Sequence, residues 1–215
     1  MNSSEVTIID YGMGNILSVQ RGLEFCGAKV NLTSDPEEIL SAGKIVLPGV
    51  GAYASGMAAL NNLGLTDVIR ELSKRKTPLL GICLGMQLLL EEGEEFHLTP
   101  GLGLIAGRVT AIPVKSISGR TQKIPHIGWS ALESQDSSKE WKDTLLDDNN
   151  SGDSAYFVHS FMAVPRNPLH TIAYCTYGGH KIAAVLHKDQ ITGCQFHPEK
   201  SGEVGLKILR RFILQ

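Results

Sequence analysis

Between Val6 and Glu92 the chain alternates short β-rich runs with amphipathic stretches, and that alternation narrows its fold more than any other feature. Val6–Asp10 reads as a strand, Gly14–Cys26 as a helix carrying Ile16, Leu17, Val19 and Leu23, and Lys29–Thr33 as a second strand. Asp35 stands where an N-cap is expected, and Pro36 at the first helical position, whose N–H is dispensable. Lys44–Leu47 is a third strand and a helical region runs through Leu60–Lys74. Pro78–Ile82 then feeds a helix over Leu84–Glu92. Repeated strand–helix–strand units call for a parallel sheet with helices on both faces.

The second half changes character. Arg108–Val114, Ala155–Phe161, His170–Tyr177, Lys181–His187 and Ile191–Phe196 are strand-like, and Gly178-Gly179 suits a hairpin turn. Ser201–Leu214 is a closing helix with Val204, Ile208 and Phe212 on one face. The polar tract Ser134–Gly152 reads as a long surface loop. The expected class is therefore α/β: a parallel core with an antiparallel addition, and 215 residues fit a single domain, 1–215.

Hydrophobic residues make up 42% and charged residues 20%, which suits a soluble globular chain and excludes wholesale disorder. A net charge of −2 gives no reason to expect affinity for nucleic acid or an anionic membrane. The densest basic run, Lys74-Arg75-Lys76, reads as a solvated cluster at a helix end. The four cysteines, Cys26, Cys83, Cys175 and Cys194, lack the spacing of a disulfide framework or a zinc site. No window approaches the roughly 20 apolar residues of a membrane span. A reducing cytoplasm is the expected location, with no metal or organic cofactor.

The chemistry concentrates at Gly81-Ile82-Cys83-Leu84-Gly85, between an apolar strand and a helix. This is the G-x-nucleophile-x-G elbow with cysteine in the serine position. A sharp strand-to-helix turn lifts the nucleophile above the sheet edge, and flanking glycines remove the Cβ atoms that would crowd it. The helix start that follows favours a thiolate and offers backbone N–H groups to an oxyanion. Free cysteines are commonly just buried; the two glycines and the junction argue for more here. Gln87, one helical turn on, shares the face of Cys83 and can hold a polar substrate.

A base follows near the other end of the chain, in Cys194-Gln195-Phe196-His197-Pro198-Glu199. Pro198 biases His197 toward an extended conformation, and residues at i and i+2 of an extended segment point the same way. Glu199 is therefore expected to reach the imidazole, fix its tautomer and stabilise the imidazolium while the other nitrogen takes the thiol proton. An isolated His-Pro-Glu is more often a surface turn, so the assignment leans on the elbow. His97, His170, His180 and His187 have no evident partner, and His159 is expected to order local structure.

Pro48-Gly49-Val50-Gly51 follows the third strand, and its glycines let the backbone turn an N–H toward a ligand. One reading is an oxyanion hole completed by the N–H of Leu84; the other is a plain βα turn. No G-K-[S/T] follows, which disfavours a phosphate loop. Asp10-Tyr-Gly-Met-Gly-Asn15 is a second glycine-rich turn without the third glycine of a dinucleotide fingerprint, expected to line one end of the sheet.

Taken together, Gly81-Ile-Cys-Leu-Gly-Met-Gln87, Gln195-Phe-His-Pro-Glu-Lys-Ser201 and Pro48-Gly-Val-Gly51 resemble the class I (triad) glutamine amidotransferases. Asp10–Asn15, Gly101-Leu-Gly103, Pro125-His-Ile-Gly-Trp129 and Tyr156-Phe-Val-His-Ser160 narrow the likeness to the glutaminase subunits of imidazole glycerol phosphate synthases, from about Val6 to Phe212. The resemblance implies a flavodoxin-like doubly wound fold, glutamine as substrate and a (β/α)8-barrel cyclase as heterodimer partner. It implies Cys83 as nucleophile, His197 as general base and acid, and Glu199 as orienter. It further implies glutamine held by Gly51, Gln87 and the Ser160–Phe161 backbone. A Val50–Gly51 peptide would turn into place as oxyanion element when the partner is liganded, and Asn15, Trp129, Tyr156 and Lys200 would face the cyclase near the ammonia passage. Paralogous glutaminases that supply ammonia to a surface-sugar amidating partner share these motifs, and a cysteine hydrolase or peptidase could use the same elbow.

Overall fold

The structure is a computed structural model that describes residues 4–134 and 141–215. Its first half consists of β1 (Glu5–Ile9), α1 (Ile16–Phe25), β2 (Lys29–Thr33), α2 (Pro36–Ser41), β3 (Ile45–Leu47), α3 (Tyr53–Asn62), α4 (Leu65–Lys74), β4 (Leu79–Ile82) and α5 (Leu84–Leu88). Then come β5 (Leu90–Gly93), β6 (Thr99–Pro100), β7 (Ile105–Ala111), β8 (His126–Ala131), β9 (Glu133–Ser134) and β10 (Ser154–His159). The chain finishes with β11 (Phe161–Pro165), β12 (Thr171–Tyr177), β13 (His180–Lys188), β14 (Ile191–Cys194) and α6 (Gly202–Ile213).

Eight strands form the main sheet in the order β2-β1-β3-β4-β14-β13-β12-β9. The first five pair in parallel and the last three antiparallel, which is the expected core with its addition. The order of the parallel part is that of flavodoxin-like doubly wound sheets. Strand periodicity splits its apolar residues between two cores. Val6, Ile8, Val46, Leu80 and Ile82 face α1 and α6, whereas Ile9, Ile45, Leu47 and Leu79 face α2, α3, α4 and α5. Ile208 and Phe212 of α6 are fully buried, each contributing roughly 1.5–3 kcal/mol. Asp35 caps α2 as expected, accepting from the N–H groups of Glu37 and Glu38 at 2.8 and 3.0 Å.

Four expectations need correction. The helical region expected over Leu60–Lys74 is two helices, α3 and α4, interrupted at Leu63–Gly64. The helix expected to run to Glu92 stops at Leu88, because the carbonyls of Leu88, Leu89 and Leu90 are taken by N–H groups of Leu102, Gly103, Leu104 and Ile105. Those distant bonds draw Leu90–Gly93 into a second sheet, β11-β7-β5-β6. The run Ala155–Phe161 is broken at Ser160, since β10 pairs with β8 while β11 pairs with β7. Finally, the tract Ser134–Gly152 is not wholly a surface loop. Residues 135–140 lie outside the described residues, but Trp141, Leu145 and Leu146 are buried in the core beside α6, with Trp141 Nε1 donating to the Ile172 carbonyl at 2.8 Å.

Candidate active site

The segments singled out for chemistry, 10–15, 48–51, 81–85 and 195–199, lie at the carboxyl ends of β1, β3, β4 and β14, the edge where doubly wound sheets bind ligands. At the elbow Cys83 has φ +53° and ψ −110°, a strained conformation for a residue with a side chain. It is held there by its N–H donating to the Cys194 carbonyl at 2.7 Å. A Cβ on Gly81 would come 2.8 Å from the Gly85 backbone, and one on Gly85 would run into the Leu47 carbonyl oxygen. Both glycines are therefore required by close backbone approach.

His197 follows β14 with extended dihedrals, φ −96° and ψ 99°. Its N–H donates to the Tyr156 carbonyl at 3.0 Å, and its own carbonyl accepts from Ser201 Oγ at 2.7 Å. Nδ1 meets Glu199 Oε1 at 2.7 Å, with both side chains almost wholly buried. The contact was expected from an extended i, i+2 pair, but Pro198–Lys200 forms a 3-10 turn instead. That turn brings the carboxylate back under the ring. Nε2 is buried and closes no hydrogen bond, yet Cys83 is near enough to bias it. Burial pulls the imidazole pKa down, but Cys83 and the Glu199 carboxylate outweigh it and hold the ring well above its ordinary value. The sulfur–imidazole contact is thus poised and open, as is common before substrate arrives.

Val50, Gly51, Cys83, Leu84, Gln87, Ser160, Phe161 and His197 line one cavity of about 330 Å³. Glu199 stands behind His197. The 48–51 turn is pinned at one end, where Tyr11 Oη donates to the Pro48 carbonyl at 2.7 Å. At its other end Gly51 has φ +109° and Val50 is 41% exposed. Leu84 departs from expectation: its N–H donates to the Gly49 carbonyl at 3.2 Å and is not free to meet an oxyanion in this conformation.

Asn15, Trp129, Tyr156 and Lys200 do not line the cavity. Asn15 begins α1 without a side-chain cap bond. Trp129 is 59% exposed and meets Tyr156 edge-on across the β8–β10 pair at 6.0 Å between centroids; Lys200 is exposed one residue beyond Glu199. Two further polar groups went unnoticed in the sequence. Glu95 lines the cavity, its Oε2 accepting the Tyr53 N–H at 2.6 Å. Gln195 is fully buried, and its amide bridges Gln87 Nε2 at 3.0 Å and Cys83 Sγ at 3.9 Å. His180 and His187 bond to the Lys115 carbonyl and to Thr192 respectively. All four cysteines are free thiols, and among the described residues no cluster of metal-ligating side chains is present.

Residues 7–215 match the family described as glutamine amidotransferase class-I. The chain belongs to the class-I glutamine amidotransferases. It is 49% identical over 210 residues to imidazole glycerol phosphate synthase subunit HisH 1 of Legionella pneumophila (strain Lens), covering 98% of this chain and 99% of that one. It is 44% identical over 210 residues to imidazole glycerol phosphate synthase subunit HisH of Lactococcus lactis subsp. lactis (strain IL1403), covering 97% and 98%. Among solved structures, a glutamine amidotransferase aligns at TM-score 0.70 and 16% identity, covering 97% of this chain and 96% of that one. PurLQS from Thermotoga maritima aligns at TM-score 0.70 and 18% identity, covering 98% and 97%. At those identities the structural likeness speaks for the amidotransferase fold alone. No helix among the described residues is long and apolar enough to cross a membrane.

Proposed function

We propose that this amidotransferase is the glutaminase subunit of an imidazole glycerol phosphate synthase and works in histidine biosynthesis with a (β/α)8-barrel cyclase. The observation that carries the reading is the buried His197–Glu199 pair set against Cys83 in a cavity shared with Gln87. The names of the relatives above give the pathway. Residues 1–215 act as one amidotransferase domain, and the four free thiols suit a reducing cytoplasm.

In the mechanism, His197, held protonated by its raised pKa, carries at Nε2 the proton given up by Cys83, and the thiolate attacks the carboxamide carbon of glutamine. The oxyanion is met by backbone N–H groups once the Val50–Gly51 peptide turns inward and Leu84 releases Gly49. His197 then gives its proton to the departing ammonia, leaving a glutamyl thioester. It next draws a proton from water, whose oxygen attacks the thioester and releases glutamate and the Cys83 thiol. Glu199 holds the ring in the Nδ1–H tautomer throughout. Gln87 and the Ser160–Phe161 backbone hold the substrate, and the Glu95 carboxylate is the cavity group suited to its α-ammonium. Ammonia passes toward Asn15, Trp129, Tyr156 and Lys200, where the partner joins it to a phosphoribulosyl intermediate.

The test is glutamate release from glutamine by the chain with the cyclase and its ligand. Release that disappears in Cys83→Ala is expected, together with labelling of Cys83 by a glutamine-mimicking electrophile. Turnover persisting in Cys83→Ala, or cleavage of peptides or esters in place of glutamine, would overturn the assignment. Activation by a sugar-amidating partner and not by the cyclase would move the enzyme to the other pathway.

A further inference from the structure

Two buried histidines, one of which (His159) lines the cavity, have no part in the mechanism above. His126 on β8 and His159 on β10 are register partners in the small sheet, and both are almost fully buried. His126 Nδ1 lies 3.0 Å from His159 Nε2. At the outer ends, His126 Nε2 meets Ser130 Oγ at 2.9 Å and His159 Nδ1 meets the Phe161 carbonyl oxygen at 2.7 Å. A carbonyl only accepts, so His159 Nδ1 carries a proton. In a neutral pair His159 then accepts at Nε2, His126 donates from Nδ1, and the Ser130 hydroxyl donates to His126 Nε2. Burial lowers the pKa of both rings, His159 to about 4, so the pair is uncharged at neutral pH. Stacking on Tyr177, 4.1 Å between centroids, and on Phe157, 5.1 Å, holds the His126 ring in plane.

The Phe161 carbonyl is shared. Gln87 Nε2 also donates to it at 3.0 Å, and donates its other hydrogen to Gln195 Oε1 at 3.0 Å. An acceptor at Phe161 therefore dictates how both amides face. Gln87 must turn its NH2 inward, and Gln195 must turn its oxygen to Gln87 and its nitrogen to the Cys83 sulfur. Only Oε1 of Gln87 is left for a ligand, on a side chain that lines the cavity. Two chains of donors, one from Ser130 through His126 and His159 and one from Gln87, thus converge on the Phe161 carbonyl oxygen.

We infer that His126 and His159 are positioning residues of the glutaminase: through the Phe161 carbonyl they hold Gln87 with its oxygen presented to the substrate. This rests on the assignment of Gln87 to glutamine binding. A pair that merely fills the core would have no preference for the donor at Nδ1, and that separates the two cases. Asparagine at 159 keeps a nitrogen near the Nδ1 position and glutamine keeps one near Nε2. Steady-state hydrolysis should be measured for the full chain with its liganded cyclase, in wild type, His159→Asn and His159→Gln.

His159→Gln should raise KM for glutamine about tenfold with kcat within about twofold, whereas His159→Asn should stay within about threefold of wild-type KM. Equal KM effects in the two variants, or wild-type KM in both, would overturn the inference. A wild type that does not hydrolyse glutamine at all would instead overturn the functional reading. Should the variants not fold, ¹⁵N spectra of the wild-type imidazoles decide: both rings neutral and protonated at Nδ1 at pH 7 supports the donation from His159 to the Phe161 carbonyl, and an Nε2–H tautomer or a cation in either ring contradicts it.

Discussion

Two glycine-rich turns meet at the carboxyl ends of adjacent strands, 81–85 after β4 and 48–51 after β3, and they are constrained very differently. In the first, both glycines face backbone, so no side chain can be admitted without moving the sheet. In the second, Gly49 is hemmed in by Tyr11 Oη and the Gly85 nitrogen, but Gly51 meets only the flexible end of Met13, at 3.0 Å. Cys83, the proposed nucleophile, is consequently fixed in place, while the peptide proposed to stabilise the oxyanion has room to turn. The difference teaches that the proposed site is half assembled: His197 and Glu199 are joined at 2.7 Å, but the Leu84 N–H is still spent on Gly49.

The sharpest way to break this contrast is Gly85→Ala. Its Cβ has only backbone to displace, so a loss of more than about 4 kcal/mol, or no folded protein, is expected in denaturant unfolding. Glu199→Gln addresses the fixed half without disturbing the turn; glutamate release should fall by roughly 10³-fold or more while the fold persists. Gly51→Ala addresses the mobile half, where a positive φ costs about 1–3 kcal/mol and the Met13 end can yield. Activity with the cyclase should fall by about 10²-fold with the fold intact. Stability losses as large as those of Gly85→Ala would erase the distinction between the turns.

The smallest effect is a pH dependence of stability. His197 has its folded pKa raised above the unfolded value of 6.5. Its stabilisation is therefore fully present below about pH 6.5 and is lost as pH rises through the raised folded value. The unfolding free energy separating wild type from Glu199→Gln should narrow on the alkaline side by on the order of 1 kcal/mol. A gap that widens with pH would place the imidazole's charge wrongly.

What could be read from the residues follows the same division between local and distant causes. The parallel strands, the Asp35 cap and the closing helix are set by nearby residues and periodicity, and they stand where expected. The end of α5 is decided by carbonyls bonding to residues 102–105, and the break at Ser160 by strands pairing in different sheets. A run of leucines or an unbroken β-rich stretch carries neither message. Within the site, the elbow and His-Pro-Glu announce themselves by spacing. Glu95 sits in the acidic run Glu91–Glu95 with nothing to distinguish it, and Gln195 and His126 acquire meaning only from partners brought close by folding.

The most direct measurement is glutamate release by the isolated chain set against the same chain with the proposed cyclase partner and that partner's ligand. One missing oxyanion donor is worth roughly 10²–10³-fold in rate. The chain alone should therefore be slower by about that factor, and the liganded complex should recover it. Equal rates in both would mean that the turn at 48–51 already works as it stands, and the half-assembled site would have to be abandoned.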